Sequence, residues 1–387
     1  MNVKAFHKSV QGASHIKKNK NCQDASASYA DEKCALAVVA DGHGGDDYLR
    51  SEIGAKLACR AAEVGIRELI ENVDGNTFFQ SPEKRMRQLA ASVIGKWNEG
   101  IHRHYENKPF TDEETEVLSE KAKRKYLEEG RFESAYGTTL LAVGMNENYW
   151  IGMHIGDGKC VGVNPEGQFK HPIPWDEKCF LNATTSICDT DAINEFRFFY
   201  SSKLPAAVFV ASDGVDDCFK DNEQLHNLYK TILFSFGSAD FDYAVEELYD
   251  YLPRLSAKGS GDDVSIAAIL NMDIIPNLSI VKEFDKPKAP VQEDEMISTD
   301  SQKEELSQAA VETLPLVDNN HAEDMDTLSS ADVNSTNVAT SVLLPEETPC
   351  GQEEPVELKG EENSQDLNPS TENSAVNSVC EIDGDET

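Results

Sequence analysis

The stretch ALAVVADGHGG, Ala35 to Gly45, passes from six apolar residues straight into an acid, a histidine and three glycines. The apolar half contains β-branched Val38 and Val39 and is short, which suits a strand buried on both faces. Pattern alone leaves a buried helix segment open. The glycines permit backbone angles that other residues avoid and let a ligand approach the main chain. Asp41 would then stand at the end of a rigid strand. Asp-Gly is also an ordinary turn pair, so this stretch taken singly is equally a strand followed by a turn.

The same pattern recurs. AAVFVASDG ends at Asp213 and Gly214, and YWIGMHIGDG ends at Asp157 and Gly158. GSGDDVSI puts Asp262 and Asp263 just before another strand, and NKNCQDASA puts Asp24 before one more. One such Asp is a turn residue; five at strand ends point to carboxylates meeting at one rim of a sheet core. Clustered carboxylates repel each other and raise each other's pKa unless a cation neutralises them. Hard oxygen ligands select Mg²⁺ or Mn²⁺, and His43 alone supplies too little nitrogen for a typical zinc site.

Composition bounds the rest. The chain has 387 residues, 39% of them hydrophobic, and a formal net charge of −35. From Asp285 onward there are 26 acids and 4 bases, a net −22, which leaves −13 for residues 1–284. Nucleic acid and anionic lipid both demand clustered Lys and Arg, so neither is an expected partner. The nine cysteines are scattered and none forms a C-x-x-C pair, which argues against a cysteine zinc site and fits reduced thiols in a cytoplasmic protein. No signal-peptide core and no membrane-spanning run is expected.

Residues 1 to 275 read as the folded domain and 276–387 as an acidic tail, poor in aromatics and expected to be disordered. In the tail, ETLPLVD and SVLLPEE are apolar patches of the kind that dock. Within the domain, strands are expected at Val3 to Ser9, Ala25 to Tyr29 and Cys34 to Ala40. A helix follows from Glu52 to Val64, and then a long amphipathic helix with Met86, Leu89, Val93, Trp97 and Ile101 on one face. DEETEVLSEKAKRKYLEEG reads as a polar, inserted helix. A block of strands follows from Ala135, then two helices, then DVSIAAIL as a last strand. Strand blocks separated by helix pairs indicate α+β layers.

VVADGHGG, YGTTLLAV, HIGDGK, VFVASDG and GSGDDVSIAAIL, in this order, resemble the motifs of metal-dependent Ser/Thr protein phosphatases of type 2C. GASHIKKNKNCQDA resembles the opening of a bacterial-type branch of that family. The resemblance implies a four-layer sandwich, two antiparallel sheets flanked by helix pairs. It also implies a two-metal centre of Mg²⁺ or Mn²⁺, with a third, weaker ion, where a metal-bridging water attacks phosphate. By motif, Asp41 bridges both metals, Gly42 offers its carbonyl, and Asp213 and Asp262 hold the first metal. Asp24 stands beside the second metal, mostly through water, and Asp157 with Asp213 takes the third. His43 is the implied general acid.

Three residues depart from the family pattern. Gln23 stands where many members have Glu, Asn19 where many have a phosphate-gripping Arg, and Asp263 where Asn is usual. Lys17, Lys18 or Lys20 could replace that Arg, without its bidentate fork. The substrates implied are phosphorylated proteins and the chain a monomer. A catalytically weak scaffold that binds phosphoproteins is the alternative. Gly137, Thr138 and Thr139 read as a strand start whose hydroxyls bond locally. His154 reads as a satisfied core histidine, His15 as either structural or site-lining, and Trp97, Trp150 and Trp175 as packing aromatics.

Overall fold

Alternation along Ala35–Ala40 divides that strand between two cores. Leu36, Val38 and Ala40 pack with helices, while Ala35, Ala37 and Val39 face a second sheet. The computed structural model describes residues 2–180 and 183–284. Its strands are β1 (Val3–Val10), β2 (Ala25–Ala30), β3 (Ala35–Ala40), β4 (Leu140–Met145), β5 (Trp150–Ile155), β6 (Lys159–Val163), β7 (Phe169–Lys170), β8 (Arg197–Ser201), β9 (Ala207–Ala211) and β10 (Val264–Asn271). They form two five-stranded sheets, ordered β1-β10-β9-β6-β7 and β2-β3-β4-β5-β8, with antiparallel pairing throughout.

Three apolar layers hold four structural ones. The Ser51–Asn72 and Pro82–Asn107 helices cover the β3 sheet, with Met86, Leu89, Val93, Trp97 and Ile101 buried as their spacing predicts. The Asn222–Ser238 and Phe241–Lys258 helices cover the β10 sheet. Between the sheets lie Val39, Leu141, Val143, Val208, Val210, Ala267 and Ile269. This is the four-layer α+β sandwich expected from the motifs.

Two expectations change. The polar segment 112–130 is not one helix. It breaks into Asp112–Glu116, Glu120–Lys123 and a π-turn at Arg124–Glu128, because Thr111 and Ser119 each cap a fresh helix start. The fold also continues past the boundary drawn at 275. Ile275, Leu278 and Val281 are buried in the β10-side core, and a helix spans Ser279–Phe284. The expected tail from 285, with both apolar patches, lies outside the described residues. The seven cysteines among the described residues are all free, and no described helix is long and apolar enough to cross a membrane.

Gly54 tests the close approach of the Ser51–Asn72 helix to the turn at Glu133–Tyr136. A Cβ there would lie 1.8 Å from the Tyr136 carbonyl oxygen, whereas one at Gly95 meets nothing within 4 Å. In an open helix Gly→Ala gains up to about 1 kcal/mol. Gly95→Ala should therefore stabilise the fold, and Gly54→Ala should destabilise it by roughly 1–3 kcal/mol in urea unfolding.

Candidate metal centre

Register carries the acids to one rim. Ala25 lies opposite Ala40, so Asp24 and Asp41 leave the β3 sheet side by side. Leu140 lies opposite Ile155, which sets the Gly156–Asp157–Gly158 turn at the same end. In the other sheet Lys159 and Ile266 both face Ala211, which places Asp157, Asp213, Asp262 and Asp263 together. The Ser212 hydroxyl joins the two sheets by donating to Asp24 Oδ2 at 2.8 Å.

The carboxylates feel one another. Burial, then the charges of Asp24 and Asp213, push the Asp41 carboxyl well above the usual carboxylate range. Burial pushes Asp24 up to about 7, with Asp263 and Asp213 adding to it and hydrogen bonds from Ser265 and Ser212 opposing it. Asp213 rises to about 6, through burial first and then Asp157, Asp217 and Asp262. Burial also raises Asp157. Asp262, by contrast, is 56% exposed and accepts the Asp263 N–H at 2.8 Å.

The donor set fits a hard cation. Asp24 is 4% exposed, and its Oδ1 is buried with no hydrogen-bond partner. Such an oxygen is costly unless a cation or an ordered water meets it. Gly42 is required where it stands: a Cβ would lie 2.6 Å from the Gln23 carbonyl and 2.8 Å from Ser51. Asp24, Asp41, Asp157, Asp213, Asp262 and the Gly42 carbonyl are all oxygen donors, the chemistry of Mg²⁺ or Mn²⁺.

His43 lies beside them. Its N–H donates to the Gly137 carbonyl at 3.1 Å, its carbonyl accepts the Gln23 amide at 2.9 Å, and its ring meets Tyr48 edge-on at 4.8 Å. Burial pulls its pKa down to about 4, so it is a neutral imidazole at pH 7. Lys20 reaches the Gly44 carbonyl at 3.4 Å on the wall of a cavity of about 740 Å³, which Gln23, Gly45 and Tyr48 also line. Lys17 and Lys18 are exposed in the last turn of the short Ala13–Lys18 helix.

Several functional contacts escaped the sequence. Thr138 and Thr139 bond across the sheet rather than only locally. The Thr138 hydroxyl and Thr139 N–H both donate to the Asp41 carbonyl at 2.8 Å, and the Asp41 N–H donates to Thr139 Oγ1 at 3.0 Å. Asp263 is no loose negative charge. It is 3% exposed, accepts the Gly12 and Gln23 N–H groups at 2.6 Å each, and lies 2.9 Å from His15 Nδ1. His15 therefore lines the site, with Nε2 3.5 Å from Asp262. His154 is buried, but its Nε2 has no partner, and Trp175 is 52% exposed rather than packed.

A two-sheet sandwich whose strand ends gather carboxylates with the donor chemistry of a hard cation defines the class. A family model described as Protein phosphatase 2C matches residues 11–252, and the chain belongs to that family of metal-dependent phosphatases. Stp1 of Staphylococcus aureus shares 16% identity over 70% of this chain and 96% of its own, with a TM-score of 0.45. PppA of Pseudomonas aeruginosa shares 16% over 70% and 98%, at 0.45. The Mycobacterium tuberculosis phosphatase PstP/Ppp shares 16% over 69% and 97%, at 0.42. Comparison with curated protein sequences gives no match.

Repulsion at the rim gives a test in metal-free protein. Asp24 binds its proton more tightly folded, near 7, than unfolded, near 3.8. Its stabilising contribution is complete below the unfolded value and is lost as pH rises through the folded one. Buried histidines such as His43 and His154, whose pKa values burial lowers, pull the opposite way below pH 6.5. The comparison with Asp24→Asn isolates the carboxylate. In EDTA at pH 8 the variant should be more stable than wild type by on the order of 2 kcal/mol. The advantage should shrink to less than half by pH 5 and vanish only as pH falls below the unfolded value of 3.8, and millimolar Mn²⁺ should reverse it at pH 8. Differential scanning fluorimetry reads all three.

Proposed function

We propose that this chain hydrolyses phosphoserine and phosphothreonine in proteins at the Asp41–Asp213 rim, using two divalent cations and a third, weaker one. The observation that carries the reading is the buried, unpartnered Asp24 Oδ1 among converging carboxylates, a donor set that calls for hard cations. When bound, such cations supply the charge that acidifies a water and neutralises phosphate oxygens. Asp41, Asp213 and Asp262, with the Gly42 carbonyl, hold them; Asp24 and Asp157 complete the set. The three hydrogen bonds between the Asp41 backbone and Thr138 and Thr139 keep that backbone from moving as charge builds up.

His43 enters as a neutral imidazole. A phosphate dianion beside it favours its protonated form, and the imidazolium then gives its proton to the departing serine or threonine oxygen. Lys20, assisted by Lys17, steers phosphate as a point charge in place of the Arg fork. The open cavity beside Gly44 and Tyr48 suits a peptide segment rather than an enclosed metabolite. The catalytic unit ends near Phe284, and the acidic remainder is dispensable for the chemistry.

Hydrolysis of p-nitrophenyl phosphate and of a phosphoserine peptide, with Mn²⁺ and with EDTA, tests the reading. EDTA, Asp41→Asn and Asp213→Asn should each reduce both activities to near background while the fold survives. No activity with metal, or full activity in either variant, overturns the assignment.

Two more outcomes follow from the same assay. His43→Gln should slow the phosphoserine peptide by about a hundredfold or more and the nitrophenyl ester far less, because nitrophenolate leaves without a proton. A chain ending at Phe284 should keep full activity on the nitrophenyl ester.

A further inference from the structure

His154 and Arg197 are register partners on β5 and β8, at the open edge of the space between the sheets. Trp150 on the same face of β5 belongs to the inter-sheet core, as do Cys160 and Ile173. Beyond these side chains the inter-sheet space opens into a cavity of about 300 Å³. His154, Lys159, His171, Trp175, Arg197 and Asn222 line it. It shares a wall with the metal centre without being part of it: Gly158 and Lys159 directly follow Asp157, and Arg197 Nη2 donates to the Gly156 carbonyl.

Its polar groups are incompletely used. His154 is 3% exposed, and its Nε2 has no hydrogen-bond partner; the buried Nε of Arg197 has none either. The His154 nitrogen needs a partner from outside the chain, and the Arg197 Nε, whose nearest acceptor is Asp176 Oδ2 at 3.8 Å, is free to take a closer one. Arg197 presents only donors, so that partner is an acceptor. Burial, with Arg197 alongside, keeps His154 neutral, and its Nε2–H tautomer donates as well.

Charge agrees. The lining contains two cations, Lys159 and Arg197, and no acid. Lys159 is paired with Asp216, and Arg197 lies 3.8 Å from Asp176, which leaves each cation with unused donor capacity rather than a bare charge. Asn222 opens the 17-residue Asn222–Ser238 helix, whose N-terminus is already capped by Asp221; its own part at the cavity is its amide, whose Oδ1 accepts from Lys159 at 3.5 Å. The exposed Trp175 ring stands at the mouth.

We propose that this cavity binds a compact oxyanion, a carboxylate or phosphate group, at a site distinct from the metal centre. Two sources share that chemistry: a free small anion, or an acidic side chain near the scissile phosphoserine. The second rests on the proposed function.

Trp97 and Trp150 are buried, so anion-dependent change in tryptophan emission reports Trp175. The full chain in Mg²⁺ is titrated with sodium sulfate against sodium chloride at matched ionic strength. A saturable, sulfate-specific change is expected, absent in Trp175→Phe and weakened about tenfold or more in both His154→Leu and Lys159→Gln. No sulfate-specific change, or one that survives both of the latter variants, means that water satisfies these nitrogens and overturns the proposal. Phosphoserine peptides carrying Glu or Gln beside the phosphoserine then separate the sources. A lower KM for the Glu peptide, lost in His154→Leu, assigns the site to a substrate side chain; equal KM values with sulfate binding intact assign it to a free anion. If neither peptide is hydrolysed, the functional reading fails while the sulfate titration still decides the site.

Discussion

Mutual repulsion among Asp24, Asp41 and Asp213 is the constraint around which the rim is organised. Each sits where burial penalises its charge and a neighbouring carboxylate penalises it again. Left to local preference these side chains would turn to water, as Asp262 does. What keeps them together is backbone that cannot move. Asp41 follows a strand buried on both faces, and Asp213 follows β9, which is buried along its whole length. The sandwich therefore commits its free energy to apolar layers away from the rim and holds strained electrostatics at the rim, an arrangement expected of functional sites.

Asp263 adds to this repulsion at Asp24 but is itself well partnered. Its carboxylate collects N–H groups from Gly12 and Gln23, residues more than 200 positions away in sequence, and meets His15 as well. A buried carboxylate with two backbone donors and an imidazole is satisfied in a way that Asp24 is not. Asp263 thus ties the N-terminal segment, with its lysines, to the loop that presents Asp262. The departure from the usual Asn and the presence of His15 explain each other: the extra charge faces His15 Nδ1 at 2.9 Å, a partner on a different element that sequence spacing does not announce.

How much was legible follows from the range of the interactions. Strand-end acids were readable because period and turn chemistry are local, and the five of them needed only a common rim. The helix face of Met86, Leu89, Val93, Trp97 and Ile101 was readable for the same reason. Thr138 and Thr139 were not, since their partner Asp41 is almost a hundred residues away and nothing in a Gly-Thr-Thr triplet announces it. His154 and Trp175 failed in a different way. Both carry the residue type of a packed core, and only the gap between β5, β6 and the chain after β7 shows that neither is fully packed. Segment 112–130 reads helical by composition, yet tertiary hydrogen bonds cut it into pieces.

Those pieces have a consequence for the site. Arg50 is 6% exposed and places its fork on Glu114, with both contacts at 2.8 Å, while also donating to the Pro109 carbonyl and to the Tyr136 hydroxyl. Asp47 accepts from both the N–H and the hydroxyl of Ser119, and its carbonyl accepts from Tyr126. The segment that looked like an appended helix is therefore fastened to residues 47–50, immediately after the His43 loop. A loop with three glycines has little rigidity of its own, and loops gain precision only from what they rest on. Here the loop is held at one end by β3 and at the other by a bidentate, desolvated arginine pair, the kind of contact whose geometry is fixed as well as strong. The polar character of 112–130, which suggested an addition to the fold, is what lets it reach across and brace the residues that follow the His43 loop.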